Sequence, residues 1–126
     1  MKLGFLTALL SDMGIEELFE WAERNNFDCL EIAAWPLGSD KISRYWGTTI
    51  DVAELDRSRA GELKELSTSW GVEISSLAYY DNNLDGDPGR RKIVNDHLKK
   101  TIRAASLLEV DLVGTFIGPR SQKIGG

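Results

Sequence analysis

Short apolar runs alternate along the chain with longer segments in which apolar residues recur at helical spacing. Residues 3–7 predict a first strand. The next segment has apolar residues at positions i, i+3, i+4 and i+7, which form one face of a helix: Ile15, Leu18, Phe19 and Ala22. We expect Asn25 or Asn26 to end this helix in a left-handed conformation. The apolar run Cys29–Ala33 then predicts a second strand.

A long loop separates the second strand from the second predicted helix. The loop is predicted over residues 35–49, a length that is more typical of a binding loop than of a simple connector. The helix is predicted within residues 51–70 and is expected to end at Gly71. One face of this helix carries three apolar residues: Leu63, Leu66 and Trp70.

The last third of the chain repeats the order of strand and helix. Residues 72–80 predict a third strand, and residues 111–118 predict a fourth. Between these two strands, Asp87 followed by Pro88 is a strong signal for the start of a third helix. We expect five apolar residues of this helix to face the core: Val94, Leu98, Ile102, Ala105 and Leu108. The order β-α-β-α-β-α-β predicts one α/β domain over residues 1–126, with a parallel sheet and right-handed crossovers.

Composition and charge narrow the classes of partner. The chain has 15 Lys and Arg against 20 Asp and Glu, a formal charge of -5, which argues against general nucleic-acid binding. The sequence has no apolar stretch of the length that a membrane span needs. The only cysteine, Cys29, cannot form an internal disulfide, which favours a reducing, cytoplasmic location. We therefore expect no nucleic-acid and no membrane partner.

Several segments together resemble one family. They are "KLGFLTALL", "EELFEWAERNNFDCLEIAAWP", "TTIDV", "SLAYYDNNLDGDPGRRK" and "HLKKTIRAASLLEVDLVGTFIG". In order and spacing they are similar to the N-terminal half of the sugar phosphate isomerases/epimerases. This family belongs to the xylose isomerase-like TIM barrels, a superfamily that also contains inosose dehydratases and endonuclease IV. The resemblance extends to Gly118. It departs from the family at Thr49, since the family often has histidine before the Ile-Asp pair.

The resemblance implies a (β/α)8 barrel, which takes about 250 residues. A chain of 126 residues is therefore expected to form its first four strands and three helices, a half-barrel. Four strands leave sheet edges without partners, so we expect a homo-oligomer or association through these edges.

Glu31 interrupts the second strand. Alternate residues of a barrel strand face the helices and the barrel interior. Because Leu30 and Ile32 are bulky and apolar, we expect them to face the helices, which turns Glu31 inward near the carboxyl end of its strand. Active sites of this fold lie at that end. Since an interior carboxylate is costly unless it is paired or used, Glu31 is predicted to contact substrate. The alternatives are a hydrogen bond to a neighbouring strand or exposure to solvent.

Five further residues lie at or just after the carboxyl ends of predicted strands, on the same face of the predicted barrel. Trp35 is predicted either to form an apolar wall against a sugar ring or to plug its loop. Tyr79, Tyr80 and Asn82 are predicted to hydrogen-bond sugar hydroxyls, although Asn82 is equally typical of a stabilised turn. Thr115 is a candidate for the barrel top, with ordinary strand propensity as the alternative.

His97, the only histidine, is predicted to be structural. It falls in the middle of the third predicted helix, on the outer ring of the barrel and away from the strand ends. We therefore assign it no role as a metal ligand or base.

The resemblance also implies a reaction. Family members move a proton beside a carbonyl with the help of one divalent cation, such as Mn, Mg, Co or Zn, whose ligands lie in the second half of the barrel. None of those ligand positions falls in this chain, so it is assigned no metal ligand and no catalytic residue. The predicted function is a metal-dependent isomerase or epimerase of a sugar or sugar phosphate, for which this chain alone is expected to be inactive. The alternatives are an inosose dehydratase-type lyase and a non-catalytic half-barrel that works by association.

Overall fold

Strands and helices alternate along the whole of the described chain. The computed structural model describes residues 1–37 and 48–118. Its elements are β1 (Gly4–Leu6), a 3-10 helix (Thr7–Leu10), α1 (Ile15–Arg24), β2 (Cys29–Ala33), α2 (Arg57–Trp70), β3 (Glu73–Asn82), α3 (Pro88–Leu108) and β4 (Val113–Phe116). The four strands form one parallel sheet in the order β1-β2-β3-β4. This arrangement confirms the predicted first four strands and three helices of a (β/α)8 barrel. Most of the predicted loop 35–49 lies outside the described residues.

The predicted helix boundaries correspond to capping geometry in the structure. α1 is followed by Asn26 in the left-handed region at φ 63°, and α2 by Gly71 at φ 67°. The Asp87 carboxylate accepts from the Gly89 backbone N–H at the start of α3, with Pro88 as its first residue. α2 lies within the predicted range 51–70 and begins at Arg57, because the carboxylate of Asp56 caps it by accepting from the Arg59 N–H at 2.8 Å.

The main hydrophobic core lies between the sheet and the three helices. Leu30 and Ile32 of β2 and Leu77 of β3 are 0% exposed and pack with apolar residues of all three helices. Burying each such side chain contributes roughly 1.5–3 kcal/mol, which fixes the side of the sheet that β2 presents to the helices. Since alternate residues point to opposite faces, Glu31 faces away from this core. That orientation is the predicted one.

One core prediction for α3 is wrong. Ile102 was expected in the core, but its side chain is 52% exposed. The buried stripe instead passes through two polar residues, His97 and Thr101, and the hydroxyl of Thr101 donates to the backbone carbonyl of His97 at 3.0 Å. The side chains of His97 and Thr101 each make a hydrogen bond to a backbone carbonyl inside the protein. They can therefore occupy positions at which the apolar pattern predicts aliphatic residues.

Among the described helices, none is both long and apolar enough to cross a membrane. The cytoplasmic location stays a prediction.

Candidate functional site

The carboxylate of Glu31 is held by two hydroxyl groups of β3. Its Oε2 atom accepts from Ser76 Oγ at 2.9 Å and from the Tyr80 phenol at 2.7 Å. Both donors therefore bind one oxygen, and no described residue donates to Oε1 at hydrogen-bonding distance. Glu31 is half-buried and lines a cavity of about 370 Å³ between β1, β2 and β3. The arrangement presents a fixed carboxylate, with one oxygen satisfied, on the face of the sheet opposite the core; we call this side the open face.

A β-bulge in β3 brings Ser76 to the open face. Leu30 pairs with Ile74 and Glu31 with Ser76, so Ser75 is an extra residue on β3. Ile74 packs against the main core, and without the bulge Ser76 would point to the same side as Ile74. The Ser75 hydroxyl donates to the Leu30 carbonyl at 3.1 Å, which supports the bulge. Ser76 and Tyr80, four residues apart, consequently both reach Glu31.

Tyr80 occupies the centre of the site. Its ring stacks on Phe116 of β4, with centroids 4.9 Å apart and planes at 27°, and meets the ring of Trp35 edge-on at 5.9 Å. Burial and the hydrogen bond to Glu31 raise the pKa of Tyr80 to about 12. The phenol therefore keeps its proton at neutral pH and acts as a hydrogen-bond donor to the carboxylate.

Phe116 was not among the residues predicted for the site. It is 55% exposed although its ring stacks on Tyr80, so it offers apolar surface beside the carboxylate. Ser76 was also missed. A signal for Ser76 was present, since "ISSL" places apolar residues three apart in a strand, a spacing that breaks simple alternation and is typical of a bulge.

Trp35 follows β2 and is buried, with 4% of its surface exposed. It meets the rings of Tyr79 and Tyr80 edge-on, and its backbone carbonyl accepts from the Thr48 hydroxyl at 2.8 Å. Of the two predicted roles, this packing favours the plug: Trp35 supports Tyr80 from the side and does not present an open ring face.

Tyr79 and Tyr80 are adjacent but face opposite sides of the sheet. Tyr79 is 0% exposed, and its ring meets that of His97 on α3 at 4.5 Å. Burial, together with the nearby Asp81 carboxylate, raises the pKa of Tyr79 to about 12. The structure thus brings Tyr80 to Glu31 and keeps Tyr79 within the packing of α3.

His97 is buried, as a structural histidine should be, but it is not remote from the strand ends. Its Nε2 atom lies 2.6 Å from the carbonyl oxygen of Ala34, the residue directly after β2. Because a carbonyl can only accept, Nε2 carries the proton. Burial lowers the pKa of His97, which favours the neutral ring. The prediction that His97 lies away from the strand ends is therefore wrong, because α3 packs beside the carboxyl end of β2.

Asn82 and Thr115 stabilise the junction between β3 and β4. The Asn82 side-chain oxygen accepts from the backbone N–H of Leu84 at 2.9 Å and of Gly118 at 3.1 Å. The Thr115 hydroxyl accepts from the side-chain amide of Asn83 at 2.8 Å. These bonds correspond to the turn-stabilising alternative for Asn82, and they tie the loop after β3 to β4 beside Phe116.

The described residues do not fit a metal centre. Within residues 1–37 and 48–118, no three His, Cys, Asp or Glu side chains are grouped so that they could hold a metal ion. Among the described residues that line the open-face cavity, Glu31 is the only acidic one. The divalent cation that the family resemblance implies would need ligands from elsewhere.

Comparison with known proteins places the fold. No protein-family model and no curated protein matches the sequence. Among solved structures, a putative xylose isomerase from Rhodospirillum rubrum matches 96% of this chain with a TM-score of 0.65 at 19% identity. D-psicose 3-epimerase from Clostridium cellulolyticum H10 matches 91% with a TM-score of 0.61 at 20% identity. The probable 3-DHS dehydratase from Bacillus anthracis matches 94% with a TM-score of 0.60 at 16% identity.

These likenesses show the fold of the chain. It has the architecture of the N-terminal half of a (β/α)8 TIM barrel, as the resemblance implied. The chain spans 37–40% of the length of these three solved chains.

Proposed function

We propose that this chain forms one wall of the sugar pocket of an isomerase or epimerase, an enzyme that moves a proton beside the carbonyl of a sugar or sugar phosphate. The observation that carries the proposal is the Glu31 carboxylate, held by Ser76 and Tyr80 on the open face of the sheet. The proposal is supported by a fold shared with a D-psicose 3-epimerase and a putative xylose isomerase.

The chemistry of the open face suits a neutral, hydroxylated ligand. Glu31 Oε1 accepts a hydrogen bond from a ligand hydroxyl, while Oε2 stays hydrogen-bonded to Ser76 and Tyr80. The exposed ring of Phe116 lies beside these groups and packs on the C–H face of a sugar. A phosphate group of the substrate would be repelled by the Glu31 carboxylate, so it binds elsewhere in the barrel.

If the enzyme uses a divalent cation, the ligands of that cation come from residues outside the described ones. Mn, Mg, Co and Zn are the candidates that the family resemblance implies, and Glu31 is not one of their ligands. We expect the 126-residue chain alone to bind sugar weakly and to lack turnover.

Calorimetric titration of the chain with free ketohexoses, D-psicose, D-tagatose and D-fructose, tests the binding claim. Glu31→Gln should weaken binding about tenfold, because a charge-assisted hydrogen bond is lost. Glu73→Gln is the matched control, since it also removes one negative charge but lies at the other end of β3, paired with Lys2. If no ketohexose binds, or if both variants bind equally well, Glu31 is not a sugar contact.

The reaction class is tested with the product of the complete open reading frame that encodes the chain. Incubation with Mn²⁺ and each ketohexose in D₂O should place deuterium on a carbon next to the carbonyl, because the proton removed exchanges with solvent. A protein that binds the sugar but incorporates no deuterium and forms no isomer would contradict the isomerase or epimerase function.

A dehydratase is the second candidate function. It is favoured by the likeness to the probable 3-DHS dehydratase, which has the same fold. The reaction would be loss of water from an inosose or a related polyol. The two classes differ in their products: a dehydratase forms a conjugated carbonyl compound that absorbs in the ultraviolet, whereas an isomerase leaves the composition of the sugar unchanged.

A non-catalytic half-barrel is the third candidate. β1 and β4 are the first and last strands of the described sheet, and each pairs with a strand on one side only. Two copies related by a two-fold axis would pair β4 of one copy with β1 of the other and close an eight-stranded barrel. Light scattering tests this: a dimer supports the closure, and a monodisperse monomer contradicts it.

A further inference from the structure

Gly114 of β4 lies directly against the phenol of Tyr80. It pairs with Ala78 on β3, which places it on the open face beside the Tyr80 ring. A Cβ atom built on Gly114 would be 2.7 Å from the Tyr80 oxygen, 3.0 Å from Cε1 and 3.1 Å from Cζ. Distances this short cannot be kept, so a side chain at position 114 would displace the Tyr80 ring.

The Tyr80 ring cannot move without loss of contacts in the site. Its hydroxyl donates to Glu31 Oε2 at 2.7 Å, and its face is stacked on Phe116 at a centroid distance of 4.9 Å. Trp35 limits movement on another side, with its ring edge-on at 5.9 Å. A displacement away from position 114 therefore disturbs the hydrogen bond that orients Glu31.

We infer that Gly114 is the positioning residue of this site: by lacking a side chain it admits the Tyr80 phenol, which in turn fixes the carboxylate of Glu31. The importance of Gly114 for sugar binding rests on the proposed function, but its effect on Tyr80 does not.

Among the glycines that the structure describes, Gly114 is the one at which a Cβ would meet Tyr80. A Cβ on Gly4 would meet the backbone carbonyl oxygen of Cys29 at 2.6 Å, so a substitution there disturbs the strand pairing itself. A Cβ on Gly61, in α2, would have no atom within 4 Å. Gly61→Ala is thus the matched control for Gly114→Ala, because the chemical change is the same and the clash is absent.

The test is a pH titration of the tyrosine phenols, monitored by NMR of ¹³C-labelled tyrosine rings. The Tyr80 signal is assigned as the one that is absent from Tyr80→Phe. At about pH 10.5, half a unit above the ordinary tyrosine pKa of about 10, Tyr80 should remain mostly protonated in the parent chain. Gly114→Ala should ionise Tyr80 at lower pH, in the same direction as Glu31→Gln, and Gly61→Ala should leave the titration unchanged. An unchanged Tyr80 titration in Gly114→Ala would overturn the inference.

A second variant covers the case in which Gly114→Ala fails to fold. Tyr80→Phe removes the oxygen at 2.7 Å, so Tyr80→Phe/Gly114→Ala should fold and should lose less stability from the alanine than the parent background does. A double variant that is also unfolded, or an alanine cost that is the same in both backgrounds, would contradict the inference.

Sugar titration of the same variants separates this inference from the proposed function. If Gly114→Ala shifts the Tyr80 titration but no ketohexose binds to the parent chain, the positioning role of Gly114 is supported and the proposed sugar pocket is contradicted. If the parent chain binds sugar and Gly114→Ala leaves both the Tyr80 titration and the sugar affinity unchanged, the proposed sugar pocket is supported and the positioning role of Gly114 is contradicted.

Discussion

The two faces of β2 and β3 are built from alternate residues of the same strands, yet they follow different rules. On the helix side, Leu30, Ile32 and Leu77 are 0% exposed and are satisfied by packing within the chain. On the open face, Glu31 and Tyr80 are half-buried and satisfy each other by a hydrogen bond. The helix side thus needs only volume and apolarity, whereas the open face needs particular donors and acceptors at particular distances.

This difference indicates where a substitution should affect folding and where it should affect binding. A buried apolar side chain stabilises the fold through many weak contacts, and a polar side chain at the same position cannot replace them. A polar pair that is only half-buried contributes little to stability, because water can partly replace either partner. We therefore expect large effects on unfolding from the helix side and small ones from the open face.

The largest effect is expected when a charge is moved across the sheet. Leu30→Glu places a carboxylate in the core without a partner and should cost more than about 4 kcal/mol of unfolding free energy, enough to prevent folding. Glu31→Leu, its counterpart on the open face, should change stability by about 1 kcal/mol. Urea unfolding measures both. Similar losses in the two variants would show that the two faces do not differ as described.

A cavity in the core should have the next largest effect. Ile32→Ala removes a fully buried side chain and should cost about 2–5 kcal/mol. Ser76→Ala, on the neighbouring strand and the other face, should cost about 1 kcal/mol, because it removes one hydrogen bond to Glu31. The comparison fails if Ser76→Ala is the more destabilising change in urea.

His97 should make the stability depend on mildly acidic pH. The folded protein lowers the pKa of His97, so the unfolded chain takes up a proton first as pH falls below about 6.5. Stability from this group is therefore complete above that pH and declines as pH falls towards the lower folded value. The charged groups that act on the ring are Lys100 on α3, Asp51 before α2 and Asp81 on β3.

The matched variant for this prediction is His97→Gln. Its side-chain amide can donate to the Ala34 carbonyl but does not titrate, so the loss of stability between about pH 6.5 and 5 should be smaller than in the parent chain. The measurement is urea unfolding across this pH range. Equal slopes in the two proteins would exclude His97 as the cause.

A further pH effect is expected in the alkaline range. Both Tyr79 and Tyr80 have pKa values raised to about 12, so the unfolded chain loses these protons first, near pH 10. Stability should therefore decline as pH rises from about 10 towards 12, and Tyr79→Phe should remove part of that decline. A decline that is identical in Tyr79→Phe and the parent chain would contradict the role of burial at this residue.

The regular features of the fold could be predicted from the sequence because they depend on neighbours along the chain. The bounds of β2, the caps at Asn26, Gly71 and Asp87, and the inward direction of Glu31 all follow from local pattern and capping chemistry. Each of these signals involves a few consecutive residues.

The features that the apolar pattern missed depend largely on partners that are distant in sequence. The Ser75 bulge reverses the face of Ser76, and Tyr79 is buried because α3 packs over it. The apolar period of α3 pointed to Ile102, but hydrogen bonds within the protein let polar His97 and Thr101 face the core instead. Simple alternation could not supply these contacts, because they arise only when strands and helices assemble.

The most direct test of the open face as a ligand site is a residue-resolved NMR titration of the chain with D-psicose. We expect saturable shifts at Ser76, Tyr80 and Phe116, smaller or no shifts at Leu30 and Ile32, and loss of the shifts in Glu31→Gln but not in Glu73→Gln. Shifts that are absent, or that are spread equally over both faces, would contradict a sugar pocket at Glu31.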